Sequence, residues 1–363
     1  MKLNGIAHRS VEADPAAGCV RILDQTLLPW RTLWLELATL EDTLHAIATM
    51  QVRGAPLIGA VAAWGVALAL RADASDAALE RDAARLVATR PTAVNLRWAV
   101  ERMGRVLRPL PPAARAAAAA AEAARIAEED AAQCAAIGQA GAELIADLAR
   151  RSGSRRSDGR VNVLTHCNAG WLATVDWGTA LAPIYAAAAA GIDVHVWVDE
   201  TRPRNQGASL TAFELAQQGI AHTVVADNAG GHLMQHGQVD IVIVGADRVT
   251  RRGDVANKIG TYLKALAAHD NAVPFWVAVP SSTIDWTLAD GVAEIPIEER
   301  AGREVTHISG RDAGGEVREV QLTASPAANP AFDVTPARLV RGLITERGRC
   351  PATEAGLAAL FGR

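Results

Sequence analysis

From Val161 onward, short apolar runs alternate with helix-like stretches, and no other feature of this 363-residue chain restricts its folding as much. Strands separated by helix-length segments pair in parallel, because a parallel connection needs a crossover of a dozen residues or more. The pattern therefore predicts βαβ units and a mostly parallel, doubly wound sheet. Five strands are expected, over 161–164, 194–198, 222–225, 241–244 and 275–279, with helices over 172–190, 210–218, 231–236 and 258–269. Gly191, Gly219 and Gly237 follow three of these helices, where left-handed caps belong. Up to about residue 150 the periodicity is mainly helical, with short strands expected over 19–23 and 34–37. After Pro111 and Pro112 an alanine-rich helix runs to Arg150, suited to spanning two domains or to close helix packing, and the Ser/Gly/Arg-rich stretch 150–160 reads as a linker. The expected fold class is thus α/β, with a mainly helical N-terminal domain, 1–150, and a Rossmann-like parallel-sheet domain, 151–363.

Composition excludes several classes of function. A net charge of -4 offers no broad cationic field for nucleic acid. Cys19, Cys134, Cys167 and Cys350 form no CxxC pair, which argues against a zinc ribbon or a disulfide framework and for a reducing, cytoplasmic setting. The apolar run Gly59 to Leu70 is too short for the roughly 20 residues of a bilayer crossing, so no membrane role is expected. No His/Cys/Asp cluster has ligand spacing and no GxGxxG follows the first strand, so neither a metal nor a nicotinamide cofactor is expected.

In a doubly wound sheet the ligand lies beyond the carboxyl ends of the strands. Here those ends lead into Thr165-His166-Cys167-Asn168, Asp199 to Gly207, Asp227-Asn228, Gly245-Ala246-Asp247-Arg248 and Pro280 to Thr283. Cys167 by itself is most simply a small buried hydrophobe; its polar neighbours favour chemistry. His166 is read as structural, since consecutive side chains on an extended segment point to opposite faces. Asp247, ending an apolar strand, is placed where desolvation favours a neutral acid. Arg202, Arg204 and Arg248 are each most simply a solvated rim. Three further segments offer anion contacts: Arg53-Gly54-Ala55 before a buried helix, Arg90 before another, and Asn257-Lys258, expected to open a helix.

Taken in order, LDQTLLPW (23–30), VRGAPLIGAVAAWG (52–65), RPTAVNLRWA (90–99), THCNAG (165–170), DETRPRNQGASLTAFEL (199–215), VIVGADRVTRRGDVANKIGTY (242–262), PSSTID (280–285), EIPIEER (294–300) and AFDVTP (331–336) resemble the methylthioribose-1-phosphate isomerase family. That family is related to ribose-1,5-bisphosphate isomerases and to regulatory subunits of a translation-initiation exchange factor. The resemblance implies conversion of a closed-ring aldose 1-phosphate to the open-chain ketose 1-phosphate in methionine salvage, by a cytoplasmic homodimer without metal or nucleotide. It places catalysis on Cys167 and Asp247 and substrate binding on Arg53, Gly54, Ala55, Arg90, Gln206, Asn257 and Lys258. Asp247 would protonate the ring oxygen, and Cys167 would act either as base through an enediol or as support for a hydride shift. Ala169, Trp171, Ser209, Cys134 and Ala140 depart from the family pattern without removing a catalytic group. The alternatives are a related sugar phosphate, such as 5-deoxyribose 1-phosphate or ribose 1,5-bisphosphate, and a non-catalytic regulatory subunit.

Overall fold

The computed structural model describes residues 1–14, 17–152 and 159–363. A seven-stranded sheet orders Gly348–Cys350, Gly342–Thr345, Phe275–Ala278, Ile241–Val244, Val161–Thr165, Val194–Asp199 and Ala221–Val225 side by side. Every neighbouring pair is parallel except the outermost, Gly342–Thr345 with Gly348–Cys350. The five expected strands all form, with ends within one residue of those read from the sequence. Ile241–Val244 is buried throughout, which is why it reads as an unbroken apolar run instead of an alternating one. The first strand, Val161–Thr165, lies beside the fourth, Ile241–Val244, and the chain winds outward from them in both directions. Their carboxyl ends form the switch point of the sheet, and Cys167 and Asp247 follow them directly.

Two helices depart from expectation. In place of one helix over 172–190 there is a single 3-10 turn, Trp171–Ala173, then a loop, then the helix Ala182–Ala189. Polar bonds hold that loop, and hydrophobic periodicity does not register them: Trp171 and Leu172 donate their N–H groups to Glu214, and Val175 donates its own to Asp130. Asn257 and Lys258 do not open a helix. They end the strand Val255–Lys258, and the helix Thr261–Asp270 begins only after Gly260, at φ 101°. Val255–Lys258 pairs with Phe332–Thr335, far downstream, in a four-stranded sheet completed by Arg248–Thr250 and Ile284–Asp285, so a non-local partner overrides the local pattern.

The N-terminal half carries a three-stranded antiparallel sheet, Val11–Asp14, Cys19–Leu23 and Trp34–Leu37, two strands of which stand where expected. Beside it the helix Ala55–Ala72 forms the centre of an apolar core with Leu86, Leu96, Met103 and Leu107. Among the described residues it is the one helix long and apolar enough to cross a membrane, but 14 of its 18 residues are buried. The helix Pro112–Ser152 joins the halves: Ala119 to Ala131 pack into this core, while Ile137 and Ile145 pack with Val161 and Val196 of the large sheet. Its small residues permit that approach, since a Cβ at Gly141 would lie 2.3 Å from Pro183. The linker expected over 150–160 falls largely on residues 153–158, outside the described residues.

Candidate active site

Cys167 leaves the first strand in a left-handed conformation, φ 64°, which costs a non-glycine residue about 1–3 kcal/mol and persists only where neighbours hold it. Two threonines do so: Thr201 Oγ1 accepts the Cys167 N–H at 2.8 Å, and Thr211 Oγ1 donates to its carbonyl at 2.7 Å. The side chain is buried and donates its S–H to Gln206 Oε1 at 3.4 Å. Asp247 leaves the fourth strand half-buried, anchored by its own N–H to the Ala256 carbonyl at 2.9 Å. Its carboxylate acts electrostatically on Arg53, Arg90, Arg248, Lys258 and Arg300. Cys167 lies within electrostatic reach of Arg53 and Lys258. The residues singled out from both halves of the sequence therefore converge on one cleft.

Arg53 reaches that cleft because Gly54, at φ 99°, caps the helix Ala55–Ala72 directly against the other half; a Cβ there would sit 2.5 Å from the Ala173 backbone. Both terminal nitrogens of the Arg53 guanidinium donate to Asn168, one to its side-chain oxygen and one to its carbonyl. Burial pulls the Arg53 pKa down from its ordinary value. Arg90 is also lowered by burial, with Arg300 adding repulsion, and its Nε is buried without a hydrogen-bond partner. Lys258 is only 4% exposed; burial, with Arg300 nearby, brings its ammonium down to about 8. It donates to the Ala331 carbonyl and lies over the Phe332 ring. Asn257, buried beside it, donates to Thr261 Oγ1. Gly54, Ala55, Arg90, Asp247 and Phe332 line a cavity of about 40 Å³, and Arg53, Arg204, Gln206 and Ser209 line a neighbouring pocket of about 450 Å³.

Sequence reasoning missed three contributors. Arg300 sits over the same Phe332 ring as Lys258 and pairs with Glu298 at 2.9 Å, which in turn faces Arg90 at 3.6 Å. Arg204, read as a rim residue, is partly buried and pairs with Glu304 at 2.8 Å. Glu214 is fully buried and accepts from Asn168 Nδ2, Tyr185 Oη and the Trp171 and Leu172 N–H groups. Burial raises its pKa against those four bonds, and through Asn168 it fixes Arg53. A buried carboxylate remote in sequence gives no local signal, although the acid inside FEL (213–215) was the one charge in an apolar turn. Arg248 lines the same small cavity as Arg90 and Asp247, where it pairs with Asp285 at 3.4 Å and donates to the Thr92 carbonyl.

Residues 51–352 match the model of the Initiation factor 2 subunit family. Over 363 residues, 99% of this chain and 98% of that protein, the sequence is 65% identical to a methylthioribose-1-phosphate isomerase from Methylobacterium nodulans. The chain belongs to the methylthioribose-1-phosphate isomerase family. A second member, from Gluconobacter oxydans, is 64% identical over 99% of this chain and 98% of its own length. Among solved structures, a 5-methylthioribose 1-phosphate isomerase from Pyrococcus horikoshii is similar with a TM-score of 0.81 and 37% identity, covering 98% of this chain and 96% of that one. A translation initiation factor eIF-2B delta subunit from A. fulgidus is similar with a TM-score of 0.79, also at 37% identity, covering 98% and 100%. Methylthioribose-1-phosphate isomerases are thus matched across nearly the whole chain.

Proposed function

We propose that this chain isomerises 5-methylthioribose 1-phosphate to 5-methylthioribulose 1-phosphate, an aldose-ketose isomerisation of methionine salvage. The observation that carries the reading is the composition of the cleft. Five cations, Arg53, Arg90, Arg204, Lys258 and Arg300, face the carboxylates of Glu298 and Glu304 and the proposed acid Asp247, with the buried Glu214 behind Arg53. Such an excess held out of water calls for an anion, and a phosphate dianion supplies the missing charge. Arg53, Arg90, Gln206, Asn257 and Lys258, with the backbone at Gly54 and Ala55, are the proposed binding residues.

A sugar phosphorylated at its anomeric oxygen does not open by itself. Asp247 donates a proton to the ring oxygen, and the bond from that oxygen to C1 breaks, leaving an electron-deficient C1 that still carries the phosphate. Hydride then moves from C2 to C1, the C2 hydroxyl passes its proton to the Asp247 carboxylate left by the first step, and C2 becomes the ketone. A Cys167 thiol that donates to Gln206 is not poised as a base. This supports the hydride route, with the polarizable sulfur beside the developing charge. The two halves share the work: the helical unit, 1–150, brings Arg53 and Arg90, and the sheet unit, 151–363, brings the rest. A cytoplasmic homodimer belongs to the same proposal.

The test is to incubate the chain with methylthioribose 1-phosphate in D2O and follow the products by NMR. The expected product is the ketose 1-phosphate with no solvent deuterium at C1. Deuterium at C1 would move Cys167 to the role of base. No ketose at all would leave the chain as a binding protein, the alternative drawn from the exchange-factor subunits.

A further inference from the structure

Next to the catalytic cysteine in the chain, His166 is only 1% exposed and has no bond to Cys167. Its two ring nitrogens each face an acceptor: Nε2 lies 2.8 Å from the Ile259 carbonyl and Nδ1 lies 3.0 Å from Asp199 Oδ2. A carbonyl oxygen can only accept, so Nε2 carries a hydrogen. The Lys264 ammonium, a donor only, lies 3.3 Å from the same Asp199 oxygen, which therefore accepts, so Nδ1 carries one as well. Neutral imidazole has one N–H to give. We infer that His166 is a buried imidazolium and a positioning residue for the isomerisation, tying the Cys167 loop to the turn that presents Asn257 and Lys258.

Charge balance supports the same state. Asp199, Asp227 and Asp333 surround the ring and Lys264; Asp227 accepts from the Thr201 and Arg202 N–H groups, and Asp333 from those of Gly260 and Tyr262. With a neutral ring, Lys264 would face three carboxylates alone. The carboxylates of Asp199 and Asp227 with the His166 ring bring three ligand atoms within 4.8 Å of one another, a grouping that could suit a metal ion. The Lys264 ammonium already occupies the cationic place among them, bonded to Asp199 and to the Asp227 carbonyl, and a divalent ion would be repelled there.

The tether has a direct mechanical reading. His166 precedes Cys167 and Ile259 follows Lys258, so a single ring bonds the two segments that carry site residues. The turn packs closely on it: a Cβ at Gly260 would lie 3.0 Å from His166 Cε1. Because the positioning role rests on the isomerase reading, its test includes measurements that need no turnover.

In full-length protein labelled with nitrogen-15 in histidine, NMR should show one imidazole with both nitrogens protonated, and His166→Asn should remove that signal. Asp199→Asn, which keeps the shape and removes the charge, should leave the ring with one bare nitrogen. Because asparagine can serve only one of the two acceptors, His166→Asn should weaken inorganic phosphate binding and raise KM by at least about tenfold, the scale of one hydrogen bond to a charged group, with a smaller fall in kcat. Cooperative unfolding shows whether each variant is folded, and Asp199→Asn replaces His166→Asn if the latter is not. A bare ring nitrogen in the unsubstituted protein overturns the imidazolium. Unchanged phosphate affinity in a folded His166→Asn overturns the tether. If the unsubstituted chain turns over no substrate, the isomerase reading fails alone, because the nitrogen signal and phosphate affinity still decide this one.

Discussion

Two charge clusters meet at the segment His166-Cys167, and they are balanced differently. On one side of Cys167, His166 and Lys264 meet Asp199, Asp227 and Asp333, and backbone N–H groups bond the carboxylates of Asp227 and Asp333. In the cleft, Arg53, Arg90, Arg204, Lys258 and Arg300 outnumber Asp247, Glu298 and Glu304, and Arg90 Nε has no partner. Burying a charge without its counterpart costs several kcal/mol; the first cluster pairs both of its cations with carboxylates, leaves only the anionic Asp199 Oδ1 without a hydrogen-bond partner, and reads as scaffold. The second keeps an unmet cationic surplus and is where we propose that the ligand binds. Burial alone therefore does not distinguish a site from a scaffold; the sign left unmatched does.

The sharpest way to break this comparison is to remove the one carboxylate of the cleft that carries no cation of its own. Asp247→Asn should reduce kcat by about 1,000- to 10,000-fold, the upper range for a positioned acid, while substrate affinity stays within roughly tenfold. Near-normal turnover would make Asp247 a mere counter-charge. Next in size, Lys258→Ala should cost about 3 to 5 kcal/mol in kcat/KM, as expected for a desolvated charge contact. A loss below tenfold would mean that the surplus lies elsewhere. Cys167→Ser should slow turnover by at least about 100-fold, since a hydroxyl lacks the polarizability of sulfur beside the developing charge, and steady-state kinetics on the folded variant decides it.

The smallest effect comes from pH. Lys258 has its pKa lowered to about 8, so its charge is present below that pH and lost as pH rises through it. Substrate binding should accordingly weaken above pH 8, and kcat/KM should fall by about tenfold per unit. Bound phosphate restores the ammonium, so kcat should stay level over the same range. A kcat/KM profile that is flat to pH 10 in the unsubstituted chain, or one unchanged in slope by Lys258→Ala, would remove Lys258 from phosphate binding.

Much of this arrangement was legible in the sequence. The five strands and the glycine caps at 191, 219 and 237 follow from local patterning, and the caps are left-handed as expected. The strand ends in turn located Cys167 and Asp247, because a doubly wound sheet leaves its ligand site at those ends. What stayed hidden depends on distant partners. Asn257 and Lys258 lie on a strand because Phe332–Thr335 pairs with them, and the loop after Trp171 avoids helix because Glu214 and Asp130 take its N–H groups. Arg204 was read as a rim charge and Arg300 was not singled out, and only the fold shows them partly or wholly buried beside Glu304 and Glu298. His166 has no bond to Cys167, as expected, but the strand ends at Thr165 and Cys167 turns left-handed, so alternation is not the reason; the two acceptors of His166, at Asp199 and Ile259, come from other segments.

The central claim is that the cationic surplus of the cleft is a phosphate site. It is tested most directly by titrating the Asp247→Asn protein, expected to turn over its ligand too slowly to deplete it, with methylthioribose 1-phosphate and separately with methylthioribose. The phosphorylated sugar should bind at least about 100-fold more tightly, because only the phosphate dianion completes the charges of Arg53, Arg90, Lys258 and Arg300. Equal affinity for the two sugars would contradict it and leave those cations as scaffold.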